Sequence, residues 1–339
     1  MGIKTVVLAV NLGSPEAPRE AEVRTYLREF LMDGNVIDVP RPIRDLIVKG
    51  FILPKRPAKS AEAYASIWTD EGSPLIVNTY QLADKMKSLI DEPIIVAMRY
   101  GNPSIESAID LAVNDYPGLE KIVLLPLYPH YAMSTVGTVQ DLVRKIMRKK
   151  YAQLSIEVIK PFYNLDEYIE VLASSIKDDL EEGEHLLFSY HGLPVRHLKK
   201  SDITGNHCYK VANCCSVKSE AHQFCYKHQV LETTKLVVEK LGLKEEEYSV
   251  GFQSRLGRDE WIAPSTTDQV ADLAAKGIKK LAVACPAFVS DCLETLEEIG
   301  IGEKEAFLEA GGESFKLIPC LNDSPEFAEV MVNEAKKLV

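Results

Sequence analysis

Short apolar segments alternate with longer amphipathic segments along most of the chain. The short segments are rich in Val, Ile and Leu, and each is followed by Gly, Pro or polar residues. Continuous apolar strands that alternate with helices are typical of parallel sheets covered on both faces. The pattern therefore predicts an α/β fold with doubly wound parallel sheets. The predicted strands are residues 5–10, 94–98, 122–127, 186–190, 249–252, 281–285 and 315–319.

The two halves of the chain share short sequence features. KIVLLPLYP from Lys121 resembles KKLAVACPAF from Lys279, and NLGSP from Asn11 resembles YHGLP from Tyr190. We therefore expect two similar Rossmann-like lobes around a central cleft. The predicted lobes are residues 1–160, on which residues 311–339 can pack back, and residues 161–310, with a Cys-rich insertion at about 206–228.

Candidate ligand-binding residues follow the predicted strands, because open α/β sheets bind ligands beyond the carboxyl ends of their strands. No Walker loop and no GxGxxG sequence follows any of these strands, so a phosphate cradle is not supported. The segments selected by this rule are 11–15, 99–103, 128–135, 191–194, 253–261 and 286–294.

Charge and cysteine content narrow the class of protein. The 339 residues include 39 basic and 50 acidic side chains, and the net charge of -11 argues against a nucleic-acid surface. The first apolar stretch is too short to span a membrane and lacks a signal-peptide cleavage pattern, so we expect a cytoplasmic protein. Four of the seven cysteines lie between Cys208 and Cys225, which favours metal or cluster ligation over disulfides. The scattered Cys285, Cys292 and Cys320 are expected to be inert apolar residues.

His191 and Glu294 are the candidate reactive residues. His191 follows a predicted strand and precedes a Gly-Leu-Pro turn, where an imidazole can face a cleft. A lone histidine there is more often structural, so the assignment needs a partner. Glu294 and Glu298 lie four residues apart on a predicted helix, and their carboxylates can together relay a divalent cation or protons. A solvated acidic helix face is the alternative interpretation.

Four long motifs carry a family resemblance that covers nearly the whole chain. They are LYPHYAMSTVG from Leu127, FSYHGLP from Phe188, GFQSRLGRDEWIAPSTTD from Gly251 and CPAFVSDCLETLEEI from Cys285. In this order and spacing they resemble the ferrochelatases. The resemblance implies a lyase that inserts ferrous iron into protoporphyrin IX to form protohaem, the last step of haem biosynthesis. A coproporphyrin III ferrochelatase is the close alternative, and a cobalt chelatase or a non-catalytic tetrapyrrole-binding protein is a more distant one.

The resemblance also implies residue roles. His191 matches the family's proton acceptor, and with Glu294 it would bind the substrate iron, while Glu298 would assist metal or proton transfer. Without the resemblance, Trp261 would be assigned to the core and Arg56 and Lys59 to the surface. The implied substrate-binding residues are Leu12, Arg56, Lys59, Ser73, Arg99, Tyr100 and Trp261.

The chain departs from the family pattern after Gly205, where the Cys-rich insertion begins. Met133 occupies the position of one cluster cysteine of the animal-type enzymes, and no cysteine follows Cys320 in this sequence, so we do not expect a cluster of that type at those positions. Some microbial members resemble this chain in having four grouped cysteines. We expect a two-iron two-sulfur (2Fe–2S) cluster, with zinc held by some of these cysteines and His207, His222 or His228 as the main alternative, and free thiols as the remaining one. The expected cluster ligands are Cys208, Cys214, Cys215 and Cys225.

Apolar and charged residues are interleaved between Ile43 and Leu53. In the family this region resembles a mobile lip, which implies transient peripheral contact with the inner face of the membrane. Packing on the protein's own core explains the pattern equally well. The expected partners are a porphyrin and ferrous iron, without nucleic acid, and the sequence leaves monomer and homodimer open.

Overall fold

The computed structural model describes residues 2–255, 257 and 259–339. The chain divides into two compact units. The first comprises the residues up to Tyr128, Met133–Lys160 and Asn322–Val339, and the second comprises Pro129–Ala132 and Pro161–Leu321. The return of the chain to the first unit therefore begins at residue 322 rather than at the predicted residue 311.

Strands and helices alternate along the described residues. The strands are β1 Thr5–Asn11, β2 Ile94–Met98, β3 Lys121–Pro126, β4 Ser155–Val158, β5 His185–His191, β6 Tyr248–Gln253, β7 Lys280–Ala284 and β8 Ser314–Leu317. The α-helices are α1 Glu20–Leu31, α2 Arg41–Asp45, α3 Arg56–Ile67, α4 Pro74–Lys87, α5 Ile105–Asp115, α6 Thr138–Lys150, α7 Asp166–Asp179, α8 Val195–Ser201, α9 Tyr226–Leu241, α10 Thr266–Ala275, α11 Lys304–Glu309 and α12 Pro325–Lys336.

Each unit contains a four-stranded parallel sheet with the same strand arrangement. The order is β2-β1-β3-β4 in the first unit and β6-β5-β7-β8 in the second. In both sheets the first strand of the unit lies between the second and the third. The predicted α/β fold with two similar parallel sheets is confirmed.

The inner strands are buried along almost their full length, which explains their continuous apolar sequence. From Val6 to Val10 every residue of β1 is at most 1% exposed. In the second unit, Leu187, Leu281 and Phe307 belong to one apolar cluster that links β5 and β7 to α11. Complete burial of such a side chain contributes about 1.5 to 3 kcal/mol, so these strands form rigid supports for the residues at their ends.

Two kinds of element differ from the sequence prediction. Strand β4 was not predicted, because its SIEV sequence is short and alternates between exposed and half-buried positions. Three helical segments have the i→i+5 hydrogen bonds of a π-helix, namely Leu46–Ile52, Met133–Gly137 and Glu294–Glu303. The sequence predicted a helix only at Glu294, without its hydrogen-bond pattern, and π-helical turns are often found at functional sites.

Among the residues that the structure describes, no helix is both long enough and apolar enough to cross a membrane.

Candidate active site and cysteine cluster

His191 is the last residue of β5, a strand with neighbours on both sides. Its Nδ1 atom lies 2.7 Å from the carbonyl oxygen of Gly192. A carbonyl oxygen only accepts hydrogen bonds, so Nδ1 carries the proton and Nε2 carries the lone pair of the neutral ring. The backbone therefore selects the tautomer in which Nε2 can accept a proton from a substrate.

The turn after His191 is packed against Trp261. The Gly192 N–H donates to the carbonyl of Gln253 at 2.8 Å, and Pro194 pairs with Trp261 in an antiparallel bridge. A Cβ on Gly192 would lie 2.7 Å from that carbonyl and 3.3 Å from Cε3 of the Trp261 ring. Only glycine fits there without displacement, and the structure places the partly exposed Trp261 beside His191.

Glu294 and Glu298 lie on the π-helix that follows β7. Burial, together with the adjacent Glu294 carboxylate, raises the pKa of Glu298 to about 7. The side chain of Ser254 donates a hydrogen bond to the Glu298 carboxylate. At neutral pH the Glu298 carboxyl can therefore both hold and release a proton.

Gln253 connects this carboxyl pair to the core of the sheet, and the sequence analysis assigned it no role. Its Nε2 donates to the backbone carbonyl of Glu294 at 2.7 Å, and its Oε1 accepts from Ser189 at 2.8 Å. The Ser189 hydroxyl also lies 2.7 Å from the hydroxyl of Thr266. Gln253 lies within the predicted segment 253–261, so its position at a strand end was the signal that could have identified it.

Cysteines that are far apart in sequence meet near Glu294. Burial and the Glu294 carboxylate raise the pKa of the Cys292 thiol, which hydrogen-bonds that carboxylate. The pKa of Cys320 is raised by burial, by Asp291 and by the nearby Cys285 and Cys292. Cys285 and Cys292 are buried and Cys320 is half-buried, and the three cysteines, which are scattered in the sequence, lie close together in space.

In the first unit, a buried carboxylate organises Arg99 and Tyr100. The Asp33 carboxylate accepts hydrogen bonds from Arg99, from the Thr138 hydroxyl and, at 2.9 Å, from the Tyr100 hydroxyl. Nε of Arg99 also donates to Thr138 at 2.8 Å, and the guanidinium carbon lies 4.3 Å from the centre of the Tyr100 ring. The fully buried Tyr100 thus supports Arg99, and Asp33 and Thr138 are further residues that the sequence analysis missed.

The backbone around Leu12 is close to this network. The Tyr100 N–H donates to the Leu12 carbonyl at 2.9 Å, and the Leu12 side chain is half-buried. Gly13 has a φ of +101°, and a Cβ there would lie 1.8 Å from the Tyr100 carbonyl oxygen. Glycine is therefore required for this close approach.

The predicted propionate contacts have different exposures. Arg56 and Lys59 are exposed in the first turn of α3, where both cations are available to an anionic ligand. Ser73 precedes α4 and is only 4% exposed. The exposed Arg56 and Lys59 are accessible to a carboxylate, whereas Ser73 is almost completely buried.

The four cysteines of the insertion lie together in the second unit. The Cys225 thiol interacts with both Cys208 and Cys215, and the hydrogen bond from Cys215 lowers the pKa of Cys225 to about 6. Burial and the Cys225 and Cys214 thiols raise the pKa of Cys208. The hydrogen bond with Cys225, burial and the Cys214 thiol raise the pKa of Cys215. Among the described residues, no three His, Cys, Asp or Glu side chains form a ready-made site for a metal ion.

A cavity of about 460 Å³ lies beside the cysteines and is lined by Cys214, Cys215, Lys210 and Lys227 among others. Two hydrogen bonds hold the backbone at Cys208 in place, because its N–H and that of His207 both donate to Asp202 at 2.8 Å. Burial opposes ionisation of Asp202, but these hydrogen bonds and those from Thr204 hold its pKa below the usual value.

Comparisons with known proteins agree with the motifs. The ferrochelatase family model matches residues 4–338. The chain belongs to the ferrochelatase family. A ferrochelatase of Ectopseudomonas mendocina is 49% identical over 328 residues, which are 96% of this chain and 95% of the relative. A ferrochelatase of Pseudomonas putida is 48% identical over 335 residues, which are 98% of each chain.

Solved structures support the ferrochelatase fold at much lower sequence identity. SirB from Bacillus subtilis with Fe3+ has a TM-score of 0.56 and 14% identity. A sirohydrochlorin chelatase SirB from Bacillus subtilis subspecies spizizenii, in complex with cobalt, has a TM-score of 0.56 and 11% identity. Each comparison covers 99% of this chain and 95% of the other.

Proposed function

We propose that this ferrochelatase inserts ferrous iron into protoporphyrin IX to form protohaem, with His191 as the proton acceptor. The observation that carries the proposal is the fixed tautomer of His191, which leaves Nε2 as the basic nitrogen in a chain of this family. Metal insertion requires the two inner pyrrole N–H groups to lose their protons, and imidazole is an effective acceptor near neutral pH.

Glu294 and Glu298 supply the second part of the proposed chemistry. A carboxyl group with a pKa of about 7 titrates close to the ambient pH, so Glu298 can take up or release a proton as charge moves through the site. In its ionised form the pair offers oxygen ligands to an incoming ferrous ion. We assign Glu294, with His191, to iron binding, and Glu298 to metal or proton transfer.

The remaining residues would bind the macrocycle. The Trp261 ring next to His191 offers a flat apolar face, on which a porphyrin can pack. Arg56 and Lys59 would form charge-assisted hydrogen bonds with its propionates, joined by Ser73. Arg99, supported by Asp33 and Tyr100, would supply a positive charge for binding of the macrocycle, and Leu12 would contribute apolar contact.

An anaerobic assay with ferrous iron and protoporphyrin IX tests the assignment. We expect His191→Ala and Glu294→Gln to abolish iron insertion, while the circular dichroism spectrum and melting temperature stay close to those of the wild type. Glu305→Gln is the matched control, because Glu305 is an exposed carboxylate on α11. Substantial turnover by either active-site variant would contradict the mechanism.

The same assay separates the two porphyrin substrates. Coproporphyrin III carries four propionates and would require more cationic contacts than the two propionates of protoporphyrin IX. We expect a higher kcat/KM for protoporphyrin IX, and a larger KM for it in Arg56→Ala and Lys59→Ala. A preference for coproporphyrin III would assign the alternative reaction.

We also propose a 2Fe–2S cluster bound by Cys208, Cys214, Cys215 and Cys225. Four thiolates suit such a cluster, and the mutual contacts of these thiols support a common site. The positive charges of Lys210 and Lys227, which line the cavity, would stabilise the negative charge of a cluster with four thiolate ligands. When bound, the cluster would provide a one-electron redox centre.

The purified protein tests this cofactor directly. Visible absorption together with two iron atoms and two sulfides per chain would support the cluster. One zinc ion per chain, without visible absorption or sulfide, would assign zinc ligated by these thiols and the neighbouring histidines. We expect Cys225→Ser to remove the absorption, because Cys225 contacts two of the other thiols.

We further propose that the segment from Ile43 to Leu53 makes transient contact with the inner face of the membrane. Ile43, Leu46 and Phe51 are 51%, 62% and 67% exposed, so this segment presents large apolar side chains to its surroundings. Sedimentation with vesicles that contain anionic lipid provides the test. Leu46→Ser and Phe51→Ser should each reduce the bound fraction, with Tyr80→Ser as an exposed control outside the segment.

A further inference from the structure

Three imidazoles converge on two consecutive carbonyl groups in the Cys-rich insertion. The Cys214 carbonyl oxygen lies 2.8 Å from Nε2 of His207 and 3.0 Å from Nε2 of His222. The Cys215 carbonyl oxygen lies 2.8 Å from Nδ1 of His228. The backbone of both cysteines is therefore held by side chains from other parts of the insertion and of α9.

The geometry fixes which nitrogen donates in each ring. A carbonyl oxygen has no hydrogen to give, so His207 and His222 must carry a hydrogen on Nε2, and His228 must carry one on Nδ1. One carbonyl can accept two such bonds because it has two lone pairs. The arrangement is thus specific to the atom as well as to the residue type.

The rings also hold each other in place. His222 and His228 are stacked with their centres 3.6 Å apart and their planes inclined by 12°. The ring of His207 meets that of His222 edge to face at 5.3 Å. The three rings therefore form one packed group, which we call the histidine clamp.

The histidine clamp joins the segments that carry the other two cysteines. His207 directly precedes the buried Cys208, and both of their N–H groups are bound by Asp202. His222 lies in the short helix Glu220–Phe224 just before Cys225, and His228 lies in the first turn of α9 just after it. The clamp therefore ties the Cys214–Cys215 turn to the elements of Cys208 and Cys225.

We propose that His207, His222 and His228 are positioning residues, which hold the Cys214–Cys215 turn so that its thiolates meet those of Cys208 and Cys225 around an iron–sulfur cluster. This inference rests on the 2Fe–2S cluster of the proposed function. Hydrogen-bonded neighbours that orient the ligands of a metal centre stabilise it, because the ligands lose less freedom when they bind.

The rate of cluster loss from the holoprotein measures this role. Bleaching of the visible absorption is followed under anaerobic conditions after addition of a ferrous-iron chelator. Loss of one neutral hydrogen bond corresponds to about a fivefold change in a rate, so we expect about fivefold faster bleaching in His207→Ala, His222→Ala and His228→Ala. Lys218→Ala is the control, because Lys218 is an exposed residue of the same insertion.

Conservative variants test the atomic assignment. The side-chain amide of Gln places an N–H where His has Nε2, and that of Asn places one where His has Nδ1. We therefore expect His207→Gln and His222→Gln to restore slow bleaching. At position 228, Asn should restore it and Gln should not.

The EPR spectrum of the reduced cluster provides a second readout, which a general loss of fold stability would not shift. We expect altered g-values in the alanine variants and wild-type values in the mimics that restore the hydrogen bond. Wild-type bleaching rates and g-values in the alanine variants would refute the clamp but leave the cluster proposal standing. Equal rescue by Asn and Gln at position 228 would also refute it. Absence of a cluster from the wild-type protein would overturn both proposals.

Discussion

Glu298→Gln should make the fold more stable and the enzyme less active. The pKa of Glu298 is about 7, against 4.5 for the unperturbed group. One pKa unit corresponds to ~1.4 kcal/mol, so keeping this carboxylate ionised at pH 8 costs the folded protein about 3 kcal/mol. Glutamine has the shape of the protonated acid, and its amide oxygen can still accept from Ser254. We therefore expect a gain of about 2 to 3 kcal/mol in the free energy of unfolding at pH 8.

The sign of the effect depends on pH in a defined way. Between pH 4.5 and 7 the unfolded chain releases the Glu298 proton while the folded protein keeps it, so wild-type stability falls as the pH rises through this window. Glutamine does not titrate. The advantage of the variant should therefore be large at pH 8 and about half as large at pH 5.5.

Urea unfolding at pH 5.5 and pH 8 provides the measurement. Trp68 and Trp261 are the only tryptophans of the chain, so a Trp68→Phe background restricts the fluorescence signal to Trp261 of the second unit. Glu305→Gln serves as the exposed control and should change little. A destabilised Glu298→Gln variant at pH 8, or an advantage that does not depend on pH, would refute the argument. Iron insertion by the variant should fall about a hundredfold, the lower limit of the contribution of a positioned acid–base group.

Two further substitutions test the supports of the site, and a third prediction concerns pH. Asp33→Asn leaves the Arg99 guanidinium without its buried counter-ion and should lower the free energy of unfolding, measured with urea, by about 3 kcal/mol. A change within 0.5 kcal/mol, about the size of an ordinary surface substitution, would show that the pair is not important for stability. Gly192→Ala places a Cβ 2.7 Å from the Gln253 carbonyl and should raise the KM for porphyrin by displacing Trp261. An unchanged KM would exclude a displacement that matters for porphyrin binding. Burial lowers the pKa of His130 to about 3, so its NMR chemical shifts should stay constant from pH 5 to 8, whereas a titration near pH 6.5 would contradict the burial.

The sequence predicted those elements whose environment is uniform. Strands β1 and β5 are buried on both faces, and their unbroken apolar runs reveal this directly. Strand β4 has alternating exposure over four residues, a pattern that a short loop shows equally well. The π-helix at Glu294 escaped prediction because α- and π-helical hydrogen bonding differ by one residue in span, and no residue type marks that difference.

The candidate site was predictable where a histidine ends a strand or a carboxylate lies in the segment that follows one. His191 and Glu294 could be selected in this way, and the family motifs added Arg99 and Trp261. The partners of these residues could not be found, because Asp33 lies 66 residues from Arg99 in the sequence and Gln253 lies 41 residues from Glu294. Hydrogen bonds to backbone carbonyls, such as those of the histidine clamp, depend on peptide orientations that side-chain patterns do not encode.

The identical strand order of the two sheets makes Asn11 and His191 counterparts, since each ends the strand between two parallel neighbours. Their environments have diverged. The Asn11 amide is buried and donates to Thr79 at 2.9 Å, whereas the His191 imidazole is only half-buried and turns to the next peptide. One scaffold position therefore carries a buried amide that joins β1 to α4 in the first unit and a half-buried imidazole in the second.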